Sequence, residues 1–66
     1  MDNIDKSKIS TLVRVYRATK RLNQSELAGI LGITQRTVSR IENEEFGRVS
    51  GETLDHVYRV IVGLPR

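Results

Sequence analysis

This sequence predicts an all-α domain of four or five short helices. Three observations carry the prediction. Apolar residues recur at steps of three and four in four separate segments; three of those segments open on a capping residue; and no stretch alternates with period two over a useful length. Gly32, Gly47, Gly51 and Gly63 fall near the breaks between segments, and the sole proline, Pro65, lies beyond the last one.

The first segment runs from about Ser10 to Arg21, with Ile9, Leu12, Val13 and Tyr16 along one face. Arg14, Arg17, Lys20 and Arg21 fall elsewhere, and cations near a helix C-terminus suit its dipole. Residues 1–8 are expected to be flexible at their start. The second segment opens at Asn23, with Glu26 three residues later as in a capping box. Leu27, Ile30 and Leu31 form its apolar stripe, and Gly32 stops it with a left-handed cap. The third is capped by Thr34 and runs over 35–43 with only Val38 and Ile41 apolar. So narrow a stripe leaves most of this helix facing water or a ligand. The fourth starts near Ser50 and carries Leu54, Val57, Val60 and Ile61 to Gly63.

Sixty-six residues give one domain, 1–66, with a small core and modest stability. The absence of cysteine excludes disulfides, Cys-based zinc sites and thiol nucleophiles. No apolar run approaches the roughly 20 residues that span a bilayer. The polar, mixed-charge opening MDNIDKSK is wrong for a signal peptide, so a cytoplasmic protein is expected. The net charge is +3. It is uneven: residues 1–40 hold eight cations against three acids, residues 41–66 three against five. A polyanion partner for the N-terminal part fits that asymmetry.

Only Gly32, Ile33 and Thr34 separate the second and third segments. Two short helices so joined cross at a large angle, and the crossing sets requirements. Ala28 supplies the small side chain where the helices touch, and Gly32 supplies positive φ in the turn. Ile33, Val38 and Ile41 close a small core with Leu27 and Leu31. All of these coincide within residues 24–43, the spacing of a helix-turn-helix.

At this point the sequence resembles a known family. Residues 22–43, LNQSELAGILGITQRTVSRIEN, are similar to the helix-turn-helix of Cro/cI-type (XRE-family) phage and bacterial repressors. The resemblance implies a lambda-repressor-like fold and a regulator that binds double-stranded operator DNA as a dimer. Two departures stand out. EEFGRVS is about one residue longer than the usual link, and GLPR follows the fourth segment where the family usually has a fifth, dimer-forming helix.

Gln35 and Arg36 open the third helix, the end that points toward base edges when a helix lies in the major groove. Gln suits adenine and Arg suits guanine; Thr37, Ser39 and Arg40 share the exposed surface and are further candidates for base contact. Asn23 and Gln24 sit at the N-terminus of the second helix, which favours a phosphate, with capping the competing role for Asn23. Arg48 in the link could also reach phosphate. The resemblance implies that Gln24 bonds phosphate or braces Gln35, and that Asn43 holds the DNA backbone from the far end. It also implies that Arg17 pairs with Glu42 as a structural tie. Val57, Val60, Ile61, Val62 and Leu64 are more apolar residues than a terminal helix needs, so some are expected at a dimer contact.

His56 is the single histidine and has no matching metal ligand; a surface or half-buried place is expected. Tyr16 and Tyr58 suit the edge of the core, and 5% aromatic content is too low for base-stacking single-strand binding. An enzyme is not expected, since no catalytic triad, phosphate loop or metal cluster is present; nor is any cofactor. The remaining alternative is an antitoxin that binds a toxin and its own promoter. A longer regulator, of which these residues are a part, would leave the same pattern.

Overall fold

The computed structural model describes residues 6–63. Helix α1 spans Lys6–Thr19, α2 Gln24–Leu31, α3 Gln35–Glu42 and α4 Gly51–Val62, and a 3-10 turn at Phe46–Arg48 lies in the α3–α4 link. The fold is all-α, and the 3-10 turn is the fifth element. α1 starts four residues before Ser10 and stops at Thr19, two before Arg21. Its early start places Lys6, Ser7 and Lys8 in a helical turn, where the Thr11 hydroxyl donates to the Ser7 carbonyl at 3.2 Å.

One device closes all four helices. Arg21, Gly32, Glu44 and Gly63, each just past a helix end, have left-handed backbone with φ of 55°, 71°, 59° and 75°. After α1 the Leu22 N–H reaches the Arg17 carbonyl at 2.9 Å and the Arg21 N–H reaches Ala18 at 3.2 Å. After α3 the Glu45 N–H reaches Arg40 at 2.8 Å and the Glu44 N–H reaches Ile41 at 3.1 Å. These paired bonds are the Schellman pattern, which satisfies carbonyls the helix leaves open. Glycine accepts that backbone without strain; Arg21 and Glu44 do not.

The starts are equally well defined. Asn23 Oδ1 accepts from the Glu26 N–H at 2.7 Å, while Glu26 Oε1 accepts from the Asn23 N–H at 2.9 Å, a complete capping box. Thr34 and Ser50 cap α3 and α4 by accepting from Thr37 and Thr53, each at 3.1 Å.

Every helix gives to one core: Ile9 and Val13 from α1, Leu27, Ala28 and Leu31 from α2, Val38 and Ile41 from α3, Leu54 and Val57 from α4, closed by Val49. Tyr16, Leu22, Ile33, Phe46 and Tyr58 pack at its edge. Ile30, expected in the α2 stripe, is instead 51% exposed. With the α2 face set by Leu27 and Leu31, position 30 is rotated too far round to reach the core.

Candidate nucleic-acid interface

Placement of α3 begins with its two apolar residues. Val38 and Ile41 are fully buried, so the helix cannot rotate without exposing both. Gln35 and Arg36 are exposed, and Thr37, Ser39 and Arg40 half-buried. Gln24 from α2 joins Gln35, Arg36 and Ser39 around one shallow polar hollow. The hollow therefore combines an amide pair, a guanidinium and a hydroxyl, groups that together can donate to and accept from base edges or phosphate oxygens.

The hydroxyls on α3 already have neighbours. Thr34 and Thr37 hydroxyl oxygens are 2.8 Å apart, and Ser39 Oγ accepts from Asn43 Nδ2 at 3.3 Å. Asn43 caps α3 rather than extending it, so the helix is 35–42 and not 35–43. Arg48 is exposed in the 3-10 turn, beside the exposed Glu44 and Glu45. Asn23 uses its side chain as the α2 cap.

Glu42 anchors the far end of α3. Its carboxylate accepts from Arg17 Nε at 2.8 Å, Arg17 Nη2 at 3.1 Å and Gln24 Nε2 at 3.2 Å. Gln24 is thus directed to Glu42, and no bond joins it to Gln35 among the described residues. The Glu42 backbone carbonyl accepts from Ser10 Oγ at 3.1 Å and from Arg14 Nη2. Arg17 also donates to the Leu22 carbonyl at 3.4 Å. One residue thereby ties α3 to α1 and to the first turn of α2. Burial works against the Glu42 charge, but hydrogen bonds from Arg17 and Gln24 and the charges of Arg17 and Arg14 outweigh it. The carboxyl is held below the usual glutamate range. Reciprocally, the hydrogen bond to Glu42 raises the Arg17 guanidinium above its ordinary value, against a smaller opposing effect of burial.

Three further contacts have no signal in the sequence. Ser10 and Arg14 cap the α3 C-terminus, which no local pattern announces because the partners are 32 and 28 residues away. His56 is half-buried on α4, and its Nε2 lies 2.8 Å from the Leu31 carbonyl at the end of α2. A carbonyl only accepts, so Nε2 carries the proton.

The apolar residues expected at a dimer contact are dispersed. Val57 is fully buried in the core and so has no surface to give a second copy. Val60 and Ile61 are half-buried against the core, Val62 is 40% exposed, and Leu64 lies outside the described residues.

The model of the Cro/C1-type HTH DNA-binding domain matches residues 12–61, from α1 nearly to the end of α4. The chain belongs to this family. No curated protein and no solved structure matches it. As a Cro/C1-type domain it is a DNA-binding regulator, its partner double-stranded DNA, and α2, the Gly32–Thr34 turn and α3 are its helix-turn-helix. Among the described residues, no helix is long and apolar enough to cross a membrane, and no group of three His, Asp or Glu could hold a metal ion.

Proposed function

We propose that this Cro/C1-type domain is a sequence-specific transcriptional repressor of phage or bacterial type, acting in the cytoplasm. It reads the major groove with α3, and two copies occupy a palindromic operator. The observation that carries the reading is the hollow formed by Gln24, Gln35, Arg36 and Ser39 on an α3 locked by Val38 and Ile41. Arg36 donates to guanine O6 and N7, Gln35 pairs with adenine, and Thr37, Ser39 and Arg40 contact neighbouring positions. With the Thr37 hydroxyl facing Thr34, its methyl group suits a thymine methyl.

Phosphates are held around the groove. At the α2 N-terminus the Asn23 N–H is engaged by Glu26, so Asn23 places the phosphate beside the Gln24 N–H, Asn43 holds the strand from the far end of α3, and Arg48 adds a cation. Half-sites one DNA turn apart lie about 34–36 Å from centre to centre. The domain measures 30 × 25 × 18 Å, so two copies sit side by side over that span. Occupation of the operator then excludes polymerase.

Selection of bound sequences from a random duplex pool, at a fixed near-physiological salt concentration, tests the proposal. A palindrome with half-sites one turn apart is expected. A single half-site would remove the paired arrangement. Salt-sensitive binding with no enriched sequence would remove the base-reading role itself.

A further inference from the structure

The side of α1 turned away from α3 carries an apolar groove. Leu12, Val15, Tyr16 and Thr19 of α1 line it with Lys20, just past the end of α1, and Ile61 of α4. Val15 is 56% exposed, and Val62, next to Ile61 in the chain, is 40% exposed. Leu12, Val15 and Thr19 stand about half a turn round the helix from Ser10, Arg14 and Arg17, the three that hold Glu42. Whatever fills the groove therefore leaves α3 open.

Charge at the two ends narrows the choice of occupant. Lys20 Nζ stands 5.3 Å from the centroid of the Tyr16 ring at one end. At the other, Lys8 is exposed one turn before Leu12, on the same face. The two lysines are twelve residues apart, about 18 Å along a helix. α1 contains no Asp or Glu, and no carboxylate lines the groove.

The geometry points to this groove as the docking site for an acidic amphipathic helix of a protein partner. Apolar side chains at i, i+3 or i+4, and i+7 fill the hollow, and carboxylates beyond each end of the stripe meet Lys8 and Lys20. A second copy of the chain is the poorer occupant. Two-fold pairing of this face would gather four lysines and no carboxylate, a like-charge juxtaposition that opposes association.

The test uses the full chain, labelled with nitrogen-15, and two synthetic helical peptides sharing one leucine stripe. One peptide carries glutamates at both ends, the other lysines. Saturable shifts at Leu12, Val15, Tyr16, Thr19 and Ile61 are expected with the glutamate peptide, at an affinity at least about ten-fold above the lysine peptide. Replacing Lys8→Glu and Lys20→Glu together should reverse that preference. Val15→Glu, at an exposed position where folding is checked by the same spectra, should abolish the shifts and leave DNA affinity unchanged. Equal binding of the two peptides, shifts elsewhere, or none at all would overturn the proposal. So would shifts of the same residues that depend on protein concentration without peptide, because a second copy would then occupy the groove. The peptide readouts do not depend on which DNA the domain reads.

Discussion

Arg17 and Glu42 meet through two parallel hydrogen bonds, 2.8 and 3.1 Å long, across 25 residues of sequence. The Arg17 side chain is 32% exposed and that of Glu42 only 7%. The pair is thus asymmetric: the carboxylate depends on the guanidinium more than the reverse. Arg17→Ala should cost about 3 kcal/mol in urea unfolding, the low end for removing one member of a buried pair, because the partner keeps Gln24 and Arg17 is partly solvated. A loss below about 0.5 kcal/mol would place this contact among ordinary surface pairs.

Acid should act through the same carboxylate. Its folded-state pKa is depressed, so its contribution is complete above the unfolded glutamate value, about 4.3. It is lost as pH falls through the lower folded-state value, since the unfolded chain binds the proton more readily. Glu42→Gln removes that titration. The variant should be less stable at neutral pH, and its stability should fall less steeply than that of the parent below about pH 4.3. Parallel pH–stability curves for the two proteins would show that Glu42 does not carry the acid sensitivity.

His56 joins α4 to the carbonyl that ends α2, next to the turn of the helix-turn-helix. His56→Ala removes a single hydrogen bond and leaves that carbonyl to water, a loss of about 1 kcal/mol. Amide exchange should quicken first in the last turn of α2 and at Ile33, whose N–H bonds Ala28 at 3.0 Å. Uniform acceleration over the whole chain would mean that His56 supports global stability only, not the turn.

The helix-turn-helix was legible because its signals are local. Asn23, Thr34 and Ser50 cap within three residues of themselves, and Gly32 announces the turn by its backbone freedom. The Arg17–Glu42 tie was legible through resemblance. By contrast, Ser10, Arg14 and His56 serve carbonyls far along the chain, and sequence spacing carries no record of that. Ile30 misled because helical spacing gives a face about three residues wide but not its centre, and packing turned Ile30 outward. The ends of α1 and α3 were hidden because Arg21 and Glu44 adopt a backbone usually reserved for glycine.

That last point can be turned into a substitution. Glu44 combines a left-handed φ of 59° with a negative charge at the C-terminal, electronegative end of α3. Glu44→Gly relieves both and should stabilise the domain by about 1 kcal/mol. Gly32→Ala is the mirror case. Nothing lies within 4 Å of an added Cβ there, yet φ is +71°, so backbone strain alone should cost about 1–2 kcal/mol. If thermal unfolding ranks the two variants in the opposite order, left-handed strain is not what distinguishes these helix ends.

Substitutions at Arg36 and Arg40 test base reading against phosphate holding. Both lie on the outer side of α3, but Arg36 is exposed beside Gln24, Gln35 and Ser39 at the hollow, whereas Arg40 is half-buried one turn further on and outside its lining. Arg36→Ala should lose about 1–3 kcal/mol of DNA affinity at one guanine-containing position of the operator and little on duplexes already altered there. If Arg40 holds a phosphate, Arg40→Ala should weaken every duplex alike and reduce the salt dependence by about one counterion. Affinities on a panel of single-base operator variants at two salt concentrations decide both. A uniform loss for Arg36 would take it out of the base-reading set, whereas for Arg40 a sequence-selective loss would keep it there and extend the reading surface one turn along α3.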